Sequence, residues 1–165
     1  MKIAICPGSF DPVTMGHLDI IRRSASMFDQ VIVVVMTNYH KKNSYAFTAS
    51  ERMDFLRRCT EDMPNVTVDC YDGLLADYAR KRGAVAIVKG LRAVSDFEYE
   101  FQQALTNKKL NSDLETVFLA SRAENMFLSS SVVKQVCELN GDISTFVPEA
   151  IRADIIERIS KGENK

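Results

Sequence analysis

Residues 3–17 read Ile3-Ala4-Ile5-Cys6-Pro7-Gly8-Ser9-Phe10-Asp11-Pro12-Val13-Thr14-Met15-Gly16-His17. The apolar run 3–6 stops at Pro-Gly, as a buried strand does, and a loop with two glycines follows. From His17 onward, Leu18, Ile21, Ala25 and Phe28 recur at steps of three and four, which predicts an amphipathic helix over 17–28 beginning near Gly16. Gln30-Val31-Ile32-Val33-Val34-Val35-Met36 is a stronger β-branched run and predicts a second strand. Strand, helix, strand in this order makes a parallel unit, so the loop at 7–17 leaves the carboxyl end of a strand and enters the amino end of a helix.

The alternation continues outward. Thr48-Ala49-Ser50-Glu51 has capping-box spacing, and Met53, Phe55, Leu56 and Cys59 give the second helix an apolar side. Residues 65–70 read as the third strand, 74–82 as a helix closed by Gly83, and 84–88 as a fourth apolar run. Residues 96–110 are helical in pattern, 115–120 form a fifth strand, and 129–139 a helix ending near Gly141; Pro148 suits the first turn of a last helix running through Ile159. The expectation is one α/β domain over 1–165, a doubly wound, five-stranded parallel sheet with helices on both faces. In such sheets ligands bind beyond the carboxyl ends of the strands, where the strand order reverses. Segments 7–10, 37–42, 72–73, 89–92 and 121–122 each follow a strand and fall on that edge.

Bulk properties narrow the partners. Because 21 basic residues nearly cancel 22 acidic ones, no global field draws the chain to nucleic acid or a membrane surface, and any anion site must be local. Cys6, Cys59, Cys70 and Cys137 have no C-x-x-C spacing, and two histidines make no zinc set, so buried reduced thiols are expected. The first apolar stretch is too short for a signal peptide and no run reaches membrane-spanning length, which points to the cytoplasm.

The glycines of the first loop let backbone amides approach a ligand, and the helix start favours an anion, so a phosphate is the natural guest. The loop is neither G-x-G-x-x-G nor a P-loop, which excludes the dinucleotide fingerprint and the kinase-type lysine. Taken singly, Ser9 and Thr14 are turn and cap residues and His17 is a first-turn residue. A histidine at a helix start, beside glycine-bearing turns and on the ligand edge, is poorly explained by packing and becomes a functional candidate.

Thr14-Met15-Gly16-His17 resembles the T/H-x-G-H signature of the nucleotidyltransferase superfamily, whose sheet is Rossmann-like and which includes the class I aminoacyl-tRNA synthetases. Gly8-Ser9-Phe10-Asp11-Pro12, Lys89-Gly90-Leu91-Arg92-Ala93 with Asp96-Phe97-Glu98-Tyr99-Glu100, and Ser129-Ser130-Ser131 are similar, in the same order, to segments of the bacterial phosphopantetheine adenylyltransferases. The similarity covers essentially the whole chain. It implies transfer of the adenylyl group of ATP to phosphopantetheine, giving dephospho-coenzyme A and pyrophosphate in coenzyme A synthesis.

By that resemblance His17 stabilises the transition state, and Lys41, in Tyr39-His40-Lys41-Lys42, binds phosphate. Ser9, Lys41, Leu75 and Lys89 would hold the acceptor, with Leu74, Tyr99 and Asn107 nearby. Ser9, Phe10, His17, Gly90, Leu91, Arg92 and Glu100 would bind ATP together with the run Asn125-Met126-Phe127-Leu128-Ser129-Ser130-Ser131. Lys89 stands where the family commonly has arginine, so its contact would be a point charge rather than a fork. Asn125 stands where some relatives carry an aromatic residue, and Lys134 replaces the arginine of the wider superfamily motif. Mg2+ is the implied cofactor, held through water and ATP oxygens rather than by a protein-built metal site. A homohexamer and feedback by coenzyme A are further implications. The T-x-G-H loop alone leaves open a sister adenylyl- or cytidylyltransferase with another phosphorylated acceptor, and a non-catalytic nucleotide sensor. A detached synthetase core is disfavoured by the lack of a K-M-S-K-S-like loop and of net positive charge.

Overall fold

The computed structural model describes residues 1–37 and 44–160. The chain alternates as β1 (Ile3–Gly8), α1 (Met15–Met27), β2 (Gln30–Met36), α2 (Ala49–Cys59), β3 (Val66–Tyr71), α3 (Leu75–Arg82), β4 (Ala86–Leu91), α4 (Val94–Leu110), β5 (Glu115–Ala120), α5 (Ser130–Glu138) and α6 (Glu149–Ile159). A single 3-10 turn, Ala123–Asn125, precedes α5. The strands form one sheet in the order β3-β2-β1-β4-β5, and every neighbouring pair is parallel. Strand order therefore reverses between β1 and β4.

Both faces of the sheet are covered, which is why β2 reads as an unbroken apolar run. Val31, Val33 and Val35 turn to one side with Ala4, Cys6 and Val88, and meet Leu18, Ile21, Phe55, Leu56, Val133, Ile151 and Ile155 from α1, α2, α5 and α6. Ile32 and Val34 turn to the other side with Ile5 and Ile87, and pack on Tyr78, Ala79 and Leu114. Gly83, at φ +64°, closes α3 in the left-handed conformation that a glycine adopts without strain. Thr48 and Glu51 exchange the two bonds of a capping box at the start of α2.

Several boundaries differ from the sequence expectation. β1 runs on through Pro7, whose missing N–H falls where β1 has already parted from β4. β4 is displaced toward its carboxyl end, because Lys89, Gly90 and Leu91 pair with Phe118, Leu119 and Ala120 of β5 although they interrupt the apolar run. Pro148 is the N-cap of α6 rather than a residue of its first turn. The four cysteines are free thiols; burial raises those of Cys6 and Cys59, each to about 11. No helix among the described residues is long and apolar enough to cross a membrane.

Candidate active site

β1 pairs with β2 over six residues and β4 with β5 over six, but β1 and β4 share only Ala4 with Ala86 and Ile5 with Ile87. Beyond that point the two central strands diverge, and Cys6, Pro7 and Gly8 face Val88, Lys89 and Gly90 across a cleft of about 310 Å3. This is the crevice that a reversal of strand order creates. A larger hollow of about 700 Å3 lies between α2 and α6, away from the strand ends. Its Arg158 is paired with Glu51, and its Asp54 and Asp154 share Arg58, so its main charges already have partners.

The T-x-G-H segment is a capping box with histidine in the place usually taken by glutamate. Thr14 is the N-cap of α1, its hydroxyl accepts the His17 N–H at 3.3 Å, and its own N–H donates to His17 Nδ1 at 3.0 Å. An acceptor at Nδ1 places the proton of the neutral ring on Nε2. Nε2 has no hydrogen-bond partner among the described residues, and the ring lines the cleft. Phe10 packs edge-on against this ring, with centroids 5.1 Å apart. Phe10 itself has φ +50°, a strained value for a residue with a side chain. Gly8 makes room for it, since a Cβ at Gly8 would stand 3.0 Å from the Phe10 ring.

Burial, and then the charge of Arg92, push the His17 pKa from 6.5 down to about 4. A lowered pKa means the ring is neutral above pH 4 and takes up a proton only below it, whereas the unfolded chain already takes one up near 6.5. Stability due to this group is therefore lost as pH falls from 6.5 toward 4. In the unliganded protein an NMR titration should place the His17 midpoint near 4; the only other histidine, His40, can be removed by His40→Gln to leave one signal. A midpoint above 6 would contradict the uncharged ring.

The loop after β1 is braced from below. Asp11, 3% exposed, accepts the backbone N–H groups of Ala46 at 3.0 Å and Phe47 at 2.9 Å, and pairs with Lys134 of α5 at 3.0 Å. The Ser130 hydroxyl donates to the Pro12 carbonyl at 2.7 Å. Arg52 of α2 donates to the Ser9 carbonyl at 2.7 Å and to the Phe47 carbonyl at 3.1 Å. Neither Asp11 nor Arg52 was singled out from the sequence. Arg52 left a trace there, because Arg52, Phe55, Leu56 and Cys59 are the buried stripe of α2 and an arginine occupies an apolar position.

Of the expected residues, Phe10, His17, Lys89, Gly90, Arg92, Glu100, Asn125, Ser129 and Ser130 line the cleft together. Lys89 and Glu100 form an ion pair at 2.5 Å, joining β4 to α4. Arg92 donates to the Leu128 carbonyl at 2.9 Å and so ties the end of β4 to the entry of α5. The three serines divide their roles: the Ser129 hydroxyl caps α5 by accepting from Val132, Ser130 holds Pro12, and Ser131 is exposed. Ser9 is exposed at the cleft's edge rather than in its lining. Leu91, Met126, Phe127, Leu128 and Ser131 also stand outside the lining; Leu128 is core, and Phe127 packs on Phe146. Leu75 starts α3 and packs with the second core, Leu74 and Tyr99 are exposed, and Asn107 lies toward the end of α4. Lys41, with His40 and Lys42, lies outside the described residues. Lys134 serves Asp11 instead of reaching the cleft. Cys6, Thr14, Gly16, Ile20, Ile21 and Ser121 complete the walls.

The chain resembles several known proteins. The cytidylyltransferase-like family model matches residues 5–136, from β1 into α5. A phosphopantetheine adenylyltransferase from Caldanaerobacter subterraneus is 52% identical, over 98% of this chain and 99% of that one. Another from Moorella thermoacetica is 53% identical, over 96% and 98%. Among solved structures, a putative nicotinate-nucleotide adenylyltransferase from Vibrio parahaemolyticus superposes with a TM-score of 0.64 over 97% of this chain, at 18% identity, which supports the fold. The chain therefore belongs to the cytidylyltransferase-like nucleotidyltransferases and, within them, to the phosphopantetheine adenylyltransferase family.

Proposed function

We propose that this chain transfers the adenylyl group of ATP to 4'-phosphopantetheine, giving dephospho-coenzyme A and pyrophosphate. The observation that carries the mechanism is the His17 ring, held neutral with its proton on Nε2 at the mouth of two diverging strands. A phosphate monoester has its second pKa near about 6 and is already largely a dianion at neutral pH, so it attacks the α-phosphorus of ATP without a base. Its oxygen forms the new bond to phosphorus, and the bond from that phosphorus to the bridging oxygen breaks, its electron pair leaving with pyrophosphate. Nothing needs to be deprotonated, and a neutral donor suits the task better than a titrating base. The Nε2–H would bond the α-phosphate oxygens as charge gathers on them.

The remaining groups divide the anionic load. α1 and α5 both present their amino ends to the cleft, through Thr14, Gly16, Ser129 and Ser130, and helix amino ends favour phosphate. The Ser130 hydroxyl already donates to Pro12, so the Ser129 hydroxyl, which only accepts from Val132, the backbone amides of Ser130 and Ser131 and the Ser131 hydroxyl are the donors left for the β- and γ-phosphates. Arg92 adds charge on the nucleotide side, and Ser9, Lys89 and Lys41 hold the acceptor. Glu100 serves the nucleotide in this reading, with its ion pair to Lys89 joining the two substrate stations.

Among the described residues no group of three or more metal-ligating side chains comes together. Mg2+ would be a cation carried on the ATP phosphates and water, where it would neutralise the leaving pyrophosphate. A homohexamer in the cytoplasm, subject to coenzyme A feedback, completes the proposal. The assembly is favoured by α4, which buries no side chain within the chain and exposes Val94, Phe97, Phe101 and Leu105.

Pyrophosphate release by the purified chain with Mg2+ is the test, with ATP and CTP offered against phosphopantetheine, nicotinate mononucleotide and glycerol phosphate. Turnover is expected with ATP and phosphopantetheine. Turnover only with another acceptor would indicate a sister enzyme, and ATP binding without turnover a sensor.

A further inference from the structure

Arg52 is 2% exposed, yet among the described residues no carboxylate forms an ion pair with it. Asp11, which also holds Phe47, is occupied by two backbone N–H groups and by Lys134. The guanidinium instead donates to the carbonyls of Phe47 and Ser9, and its Cζ lies 4.1 Å from the centre of the Tyr45 ring. Asp11, Lys134 and Arg52 together leave one positive charge in surplus beside the loop after β1. A buried cation without a counter-ion is unfavourable, and so is retained where something else compensates it.

The bond to Ser9 has a geometric consequence. Carbonyl and N–H of a trans peptide point in opposite directions. With the Ser9 carbonyl turned inward to Arg52, the Phe10 N–H of the same peptide is turned outward, and no described group accepts it. Phe10 also carries the strained φ of +50°, and Arg52 is the group that holds the peptide before it.

We propose that Arg52 is a positioning residue for the acceptor phosphate, which orients the Ser9–Phe10 peptide so that its N–H faces the incoming dianion and supplies that dianion with a buried counter-charge. The inference rests on the reading of Ser9 as an acceptor residue, and it gives the Phe10 main-chain N–H to the acceptor phosphate while the Phe10 ring, packed on His17, stays on the ATP side. It predicts a selective effect on one substrate, which a purely structural arginine would not produce.

The test is the steady-state kinetics of the full chain as wild type, Arg52→Met and Arg52→Lys, with thermal unfolding recorded for each. Arg52→Met is expected to raise KM for phosphopantetheine by about tenfold or more, the size of a lost charge-assisted contact, while KM for ATP stays within about twofold. Arg52→Lys keeps the charge and one carbonyl contact, and should return KM for phosphopantetheine to within about threefold of wild type. If Arg52→Met does not fold, Arg52→Lys carries the test alone, and its smaller rise must again be confined to phosphopantetheine. Unchanged KM values in folded Arg52→Met, a fall in kcat that only tracks the folded fraction, or a rise for ATP in either variant would each overturn the proposal. A wild-type chain that does not turn over phosphopantetheine would remove the functional reading as well, whereas normal wild-type turnover with unaffected variants removes this inference alone.

Discussion

His17→Ala is expected to keep ATP binding and to lose turnover by about 100-fold or more, the usual effect of removing a donor that acts on charge developing in the transition state. The substitution removes two things at once, because the ring is both the Nε2–H donor and the N3 member of the α1 capping box. Loss of the box alone should cost about 1 kcal/mol of stability. His17→Gln separates the roles. Glutamine is itself a capping-box residue, so its carbonyl can accept the Thr14 N–H, but it has no ring to carry a donor to the far side. The expected pattern is that His17→Gln regains most of the stability in denaturant unfolding and little of the turnover, while calorimetric ATP affinity changes least of all. Full turnover in His17→Ala would mean that the histidine is a cap and nothing more. Recovery of turnover in step with stability in His17→Gln would mean the same.

That the cap and the catalytic candidate are one residue bears on how the sequence could be read. Thr14 and His17 supported two readings, helix start and phosphate chemistry, and the structure joins them: the cap bond fixes the tautomer that makes the ring a donor. The parallel sheet was legible because β2 is apolar without interruption and because Gly83 and Thr48 mark helix ends with conformations that follow from their chemistry. β4 was harder. Lys89 and Gly90 look like the end of a strand, and only the pairing with Phe118 and Leu119, more than twenty-five residues on, keeps them in it. The brace beneath the first loop was not legible at all. Apart from the Lys134 ammonium, the hydrogen-bond partners of Asp11 and Arg52 are backbone groups of Ser9, Ala46 and Phe47, and no spacing rule records a side chain that bonds a distant main chain. The same limit applies to Ser130, whose hydroxyl finds Pro12 across the fold.

Asp11→Ala is expected to destabilise the fold by about 3 kcal/mol, at the low end of the range for removing one partner of a buried ion pair. Its side chain is 5% exposed, so the N–H groups of Ala46 and Phe47 lose their acceptor in a place where water has little access. Lys134 sets the lower end of the range, because at 30% exposed its ammonium can turn toward solvent once the carboxylate is gone. Asp11→Asn keeps one oxygen for the backbone but no charge for Lys134, and should lose less than the alanine variant. Adding Lys134→Met to Asp11→Asn should recover part of that loss, since the unpaired cation leaves with it. Urea unfolding measures each step, and an Asp11→Ala loss below about 1 kcal/mol would show that the brace is redundant. Because Asp11 joins the loop after β1 to residues 46–47 and to α5, the alanine variant should also lower kcat at temperatures where it is fully folded. A folded Asp11→Ala with unchanged kcat would separate the stability of the loop from the placement of His17 and Ser9.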